Sequence, residues 1–185
     1  YNKGLGKSLG YLVGALVVGT AFPHLLKDVT QDFPWKYVLI ATSSLAVLGG
    51  TLILVLVPDG PNRKRSQQIA LTSFFKVFRN KDFRSAAFGY FGHMWELYAF
   101  WAFVPIMLLS FSTAHALPAL NIPLWSFVII AIGGLACVLS GYLAQRFGTK
   151  RTATTALLIS CGCCLASPFV FLIASELAFI TFLLV

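Results

Sequence analysis

The chain consists of long, almost uninterrupted apolar runs that are separated by short polar connections. An α-helix rises about 1.5 Å per residue, so about 20 apolar residues cross the ~30 Å hydrocarbon core of a bilayer. The runs do not alternate between polar and apolar positions, which argues against the strands of a membrane β-barrel. The pattern therefore predicts an all-α polytopic membrane protein with five complete transmembrane helices plus a truncated sixth that begins near Leu177. The five complete runs cover residues 8–26, 35–57, 85–111, 124–144 and 152–174.

The composition supports this interpretation. The chain has 185 residues, of which 58% are hydrophobic and 11% charged, whereas a soluble domain carries about 25% charged residues. Much of the surface must therefore face lipid. The chain has no initiator methionine and no signal peptide, and its last apolar run stops at Val185 before it has crossed a bilayer. We expect an internal fragment of a longer protein.

The cations mark alternate connections. Of the 14 Lys and Arg residues, all but Lys27 and Lys36 lie before the first run, between the second and third, or between the fourth and fifth. Cytoplasmic connections of membrane proteins are enriched in Lys and Arg. We therefore expect residues 1–7, 58–84 and 145–151 to be cytoplasmic in a multi-pass membrane protein. This placement indicates topology rather than a phosphate-binding face, so we expect no nucleic-acid partner.

The longest connection, residues 58–84, contains a second pattern. Four apolar side chains have helical spacing beside cations, which is typical of a helix that lies in the membrane interface. A solvated linker is the alternative. Asn80 is expected to cap the third span, with Asp82 in its first turn. The four apolar residues are Leu71, Phe74, Phe75 and Phe78.

Residues 141–151 carry the most specific motif, which reads G-Y-L-A-Q-R-F-G-T-K-R. This segment resembles the signature loop of the major facilitator superfamily, G-x-L-[AD]-D-[RK]-x-G-x-[RK]-[RK]. The resemblance implies a conformational gating loop. Gln145 departs from it, because the family usually has an Asp there, and the missing charge puts a full gating latch in doubt. The residues that carry the match or its departure are Gly141, Gln145, Arg146, Gly148, Lys150 and Arg151.

If this loop joins helices 8 and 9 of the family, the chain covers about helices 5 to 10 of a major facilitator bundle. Residues 1–57 are then the last two helices of the amino-terminal half. Residues 58–84 are the central cytoplasmic loop, and residues 85–185 belong to the carboxy-terminal half. The resemblance implies transport of a small solute by alternating access, in which the protein switches between an inward-facing and an outward-facing state. It also implies a location in the bacterial inner membrane.

Glycines on two spans indicate close helix packing. In the family, helices 5 and 8 meet across the two halves, and sliding at such a seam would permit rocking. Packing of small residues without such a role explains the pattern equally well. Pro23 follows Phe22 rather than a glycine, so the antiporter signature of helix 5 is absent and the direction of transport stays open. The packing candidates are Gly6, just before the first span, Gly10 and Gly14 on that span, and Gly133 and Gly134 on the fourth.

The third span contains Glu96 in an otherwise apolar run, with His93 one helical turn before it. A mid-membrane acid is costly, and such residues usually face a cavity or a partner. In the family, helix 7 lines the central cavity. Glu96 is therefore a candidate binder of a proton or a substrate cation, with His93 tuning its ionisation and Tyr90 and Trp101 lining the path. The alternative is that Glu96 pairs with a helix outside this chain and only fixes packing.

The leading hypothesis is a secondary active permease, coupled to protons. A uniporter or an anion permease in which Glu96 is structural is the alternative within transport. A membrane-embedded enzyme would need more polar groups than His93 and Glu96, so we expect no enzymatic activity. A non-transporting receptor or scaffold is the remaining class. The cysteines, all inside apolar runs, are interpreted as packing residues. We expect a monomer whose partners are its substrate, protons and the lipid bilayer, with no metal and no cofactor.

Overall fold

The computed structural model describes residues 4–30, 33–58, 76–115, 120–173 and 175–184. Across these residues the chain forms six α-helices with described bounds and no strands, and residues 76–77 are also helical. Five of the helices are long and apolar enough to cross a membrane, which confirms the predicted all-α polytopic fold. We number the helices in chain order: α1 Leu5–Val29, α2 Lys36–Leu56, α3 Lys81–Ala114, α4 Ile122–Phe147, α5 Thr149–Phe171 and the short α6 Glu176–Leu183.

Side-chain caps explain where several helices begin. The Asn80 side chain accepts hydrogen bonds from the amides of Asp82 and Phe83 at 2.9 and 3.3 Å, as predicted. This cap starts α3 at Lys81, so the last four residues of the predicted 58–84 connection are helical. Asn121 caps α4 in the same way by accepting from the amide of Leu124 at 3.2 Å. Most of the predicted interfacial helix lies outside the described residues.

The chain divides into two compact units, one of residues 1–38 with 101–185 and one of residues 39–100. In the first unit α1 packs along α4. Its core is formed by Val17, Ala21 and Ile130, which are almost completely buried. Partly buried side chains from α3 and α4 surround this core: Trp101, Phe127, Ala131 and Cys137.

A second, aromatic cluster in the first unit joins α3 to α5 and α6. The rings of Phe111 and Phe179 are stacked with centroids 4.0 Å apart, and both side chains are buried. Phe171 packs edge-on against both rings. His115 Nε2 lies 3.1 Å from the carbonyl oxygen of Phe171. Because this carbonyl is at the end of α5, the contact fixes the end of α3 beside the end of α5.

The outward surfaces of the helices are apolar, as lipid or further helices require. All of Lys36–Leu56 is described, and none of these residues is buried. On α5, Cys161 and Cys164 are exposed and Cys163 is half-buried, whereas Cys137 on α4 packs against the core of the first unit. The exposed apolar side chains on α2 and α5 are consistent with a membrane-spanning bundle and not with a soluble domain.

Candidate functional site

Helices α1 and α4 approach each other closely along a seam of glycines. A Cβ atom built on Gly10 would lie 2.8 Å from the carbonyl oxygen of Cys137, and one on Gly14 would lie 2.7 Å from that of Gly134. Real Cβ atoms essentially never come within 3.0 Å of another heavy atom. The two backbones are therefore in direct contact, and only glycine fits at these positions. Such contact strengthens dispersion between helices, which have no hydrophobic driving force for association in lipid.

The seam includes four of the five predicted packing glycines and one more. Gly6, Gly10, Gly14 and Gly134 all lie in it, whereas a Cβ on Gly133 would make only an ordinary contact of 3.6 Å with Val17. Gly141, predicted as part of the gating loop, is the tightest position. A Cβ there would lie 2.5 Å from the carbonyl oxygen of Gly6.

One end of the seam carries the basic residues Lys7 and Arg146, and we call it the basic end. Here the hydroxyls of Tyr11 on α1 and Tyr142 on α4 share a hydrogen bond of 2.8 Å, and the two rings meet edge-to-face. The ammonium group of Lys7 lies 4.6 Å above the centre of the Tyr142 ring. Cation–π and hydrogen-bonding contacts therefore join α1 and α4 beside the glycine contacts.

The opposite, far end of the seam is held by different chemistry. Asn121 donates a hydrogen bond of 2.6 Å from its side-chain amide to a carboxylate oxygen of Asp28, which lies near the end of α1. The other polar atom of the same side chain caps α4. One residue thus starts α4 and ties that start to α1.

The predicted gating loop is shorter in the structure than its sequence motif. Residues 145–147 end α4, and residues 149–151 begin α5, so Gly148 is the whole connection. Gly148 has φ +89° and ψ 145°, a conformation that L side chains rarely adopt. The Gln145 side chain lies against α1, its Cγ 3.4 Å from a Cβ built on Gly6. Arg146, Lys150 and Arg151 are exposed at this end.

Glu96 lies near the middle of α3, in the second unit. It is the sixteenth of the 34 residues in Lys81–Ala114, about 22 Å from the start of the helix by the standard rise. Its carboxylate Oε2 is 3.9 Å from Nδ1 of His93, and the side chains are 30% and 44% exposed respectively. The structure therefore pairs these two groups on one helix face, partly accessible and within an apolar span.

The two aromatic candidates do not share that face. At about 100° per residue, Tyr90 projects about 120° from Glu96 and Trp101 about 140° from it. Tyr90 is exposed, whereas Trp101 packs against the core of Val17, Ala21 and Ile130. Within this chain, Trp101 is therefore a packing residue of the first unit.

Sequence reasoning missed both polar contacts at the seam ends. Tyr11 and Tyr142 each lie in an apolar run, and no spacing rule links residues on different spans. The signal that was available is position: Tyr11 is one turn after Lys7, and Tyr142 one turn before Arg146. Tyr and Trp are enriched where a span meets the membrane interface.

Comparison with known proteins identifies the family. No curated protein matched the chain, and no solved structure matched it. The family description Major Facilitator Superfamily matches residues 4–185, which is nearly the whole chain and includes the seam, the Gly148 turn and the His93–Glu96 pair. Taken with five apolar membrane-length helices, this match shows that the chain belongs to the major facilitator superfamily of membrane transporters.

Proposed function

We propose that the chain is part of a secondary active transporter that moves a small solute together with protons by alternating access. The observation that carries the proposal is the His93–Glu96 pair, which lies 3.9 Å apart near the middle of an apolar helix. An ionised side chain in the centre of a bilayer costs about 2.5–3.5 kcal/mol on insertion scales. Such a cost is tolerated where the group binds an ion or a substrate.

The chemistry of the pair suits coupling. A carboxylate that takes up a proton becomes neutral. Protonation therefore removes most of the free-energy cost of burying this group while the site is closed to water. His93 is close enough to stabilise the ionised form of Glu96 when its imidazole carries a second proton and a positive charge. Proton uptake from one side and release to the other would then accompany the change of access. A substrate cation can take the place of the proton at the same carboxylate.

Uptake by membrane vesicles tests the coupling. With the full-length protein and an imposed proton gradient, we expect Glu96→Gln to abolish uphill accumulation while substrate exchange across the membrane is retained. The matched control is Asp82→Asn, which makes the same change at an exposed acid on the same helix and leaves accumulation unchanged. Accumulation that persists after a protonophore collapses the gradient would rule out proton coupling. Equilibration without uphill accumulation in the unmodified protein would instead favour a uniporter or an anion permease in which Glu96 is structural.

The orientation is part of the proposal. The basic residues of alternate connections support a cytoplasmic location for residues 1–7, 58–84 and 145–151. The same orientation fits a chain that covers helices 5 to 10 of the family bundle. Single cysteines at positions 36 and 146, in a protein without its own cysteines, test this directly. A membrane-impermeant thiol reagent should reach Lys36→Cys and Arg146→Cys from opposite sides. Labelling of both from one side would contradict the topology.

A further inference from the structure

The half of α3 that precedes Glu96 carries an exposed row of two cations followed by three aromatic rings. At about 100° per residue, these five side chains fall within an arc of about 80° on one helix face. All five are exposed, and the centre of the arc lies about 100° around the helix from Glu96. The row is therefore separate from the candidate site. Its members, which we call the α3 stripe, are Lys81, Arg84, Phe88, Phe91 and Trp95.

We propose that the α3 stripe binds an anionic phospholipid, whose phosphate contacts the two cations and one of whose acyl chains lies along the three rings. Arg84 and Trp95 are eleven residues apart, which is about 16 Å along the helix axis. One leaflet contributes about 15 Å of the hydrocarbon core. The stripe thus has the length of one leaflet and the polarity of one lipid, with charge at the start and apolar surface from there to the middle of the bilayer.

The positive charge at the start of α3 favours an anionic headgroup. Residues 76–84 contain four cations and one acid, a net charge of +3, and all four cations are exposed. Two of them, Lys76 and Arg79, belong to the segment before α3. The Phe78 ring packs edge-on against Phe83 with centroids 5.3 Å apart, which holds this segment beside the first turn of α3. Each Lys or Arg near an anionic surface strengthens binding about 5-fold.

The phosphate ligands are these cationic side chains rather than the end of the helix. The Asn80 side chain already accepts hydrogen bonds from the amides of Asp82 and Phe83, so it occupies the position where an anion would meet the first turn. The guanidinium of Arg84 can donate two parallel hydrogen bonds to a phosphate. Lys81 adds a second positive charge on the same face.

The rings favour an acyl chain over a further helix as the occupant. Contacts between membrane helices are rich in small residues, as in the α1–α4 seam, where the backbones touch at glycines. The α3 stripe instead presents large rings, and those of Phe88 and Phe91 meet edge-to-face with centroids 6.5 Å apart. Trp95 is 82% exposed near the middle of the helix, although Trp is enriched at membrane interfaces. A flexible chain can follow this surface, whereas the rings keep a second helix backbone at a distance.

Photo-cross-linking tests the proposal. The full-length protein carries the photoreactive residue p-benzoylphenylalanine in place of Phe88 and is reconstituted in liposomes of equal parts phosphatidylcholine and phosphatidylglycerol. After illumination, mass spectrometry identifies the molecule attached at this position. We expect lipid adducts in which the anionic phosphatidylglycerol predominates over the zwitterionic phosphatidylcholine.

Neutral variants test the headgroup contacts. Lys81→Gln with Arg84→Gln should lower the preference for phosphatidylglycerol at position 88 by about 5- to 30-fold, as the loss of one to two cations near a phosphate implies. The matched control is Lys150→Gln with Arg151→Gln, which neutralises two exposed cations at the start of α5. This control should leave the adducts at position 88 unchanged.

Two further probe positions complete the design. A probe in place of Trp95 should show the same lipid preference, because one acyl chain spans both positions, and it replaces the first probe if that variant does not fold. A probe in place of Leu158, an exposed residue in the first half of α5, reports a different face. There, Lys81→Gln with Arg84→Gln should leave the ratio of the two lipids unchanged.

Equal attachment of the two lipids at position 88, or a preference that survives the loss of Lys81 and Arg84, would overturn the proposal. A cross-link to another segment of the protein or to a second copy would do so as well, since protein would then cover the stripe. Equal effects of the α3 and α5 charge pairs would show diffuse attraction by the basic surface and would also refute a site on α3.

Discussion

The substitution Gly141→Ala tests the contact on which the packing of the first unit depends. A Cβ at this position would lie 2.5 Å from the carbonyl oxygen of Gly6 and 3.3 Å from the Cα of Gly10. Ordinary contact begins near 3.4 Å, so the two backbones must move apart by about 0.9 Å. Overpacking of this kind costs about 1–3 kcal/mol, because neither neighbouring atom belongs to a flexible side chain.

The matched control is Gly19→Ala on α1, where an added Cβ meets no heavy atom within 4 Å. Both substitutions gain the same helix propensity, about 1 kcal/mol in water. The difference in unfolding free energy between the two variants therefore measures the cost of the steric clash at Gly141. We expect Gly141→Ala to be less stable than Gly19→Ala by about 1–3 kcal/mol, measured by reversible unfolding of the purified full-length protein in mixed micelles. Equal stability of the two variants would show that the seam is not close-packed and would refute this reasoning.

Three further outcomes follow from the structure. Gly148→Ala should lower the unfolding free energy by about 1–3 kcal/mol, because alanine is strained at φ +89°. The control Gly162→Ala, in open space on α5, should not lower it, and equal effects of the two substitutions would contradict the turn geometry. Asn80→Ala should cost about 1 kcal/mol and speed amide hydrogen exchange in the first turn of α3; unchanged exchange there would argue against the cap. His93→Gln should weaken proton-driven accumulation without abolishing exchange, whereas unchanged accumulation would separate His93 from the function of Glu96.

Hydrophobic run length alone determined the number and positions of the spans. The predicted and observed boundaries differ by a few residues, for example 85–111 against Lys81–Ala114 for α3. The physical reason is that lipid acts on each span separately: a span must be long and apolar whatever its neighbours are. The Asn80 cap was also readable, because its side chain accepts hydrogen bonds from amides within three residues of itself.

Only the tertiary structure decided which residues meet across spans. Small residues define a stripe on each helix but not the register between two helices, so Gly133 and Gly134 were equal candidates, and only Gly134 contacts Gly14. For the same reason Gly141 proved to be the tightest seam position, although its motif belongs to a loop. Trp101, predicted to line a path near Glu96, packs partly buried against the core of the first unit, and its role in that path stays a prediction. The Tyr11–Tyr142 and Asp28–Asn121 contacts join residues 131 and 93 positions apart, and no local pattern encodes a pairing at such distances.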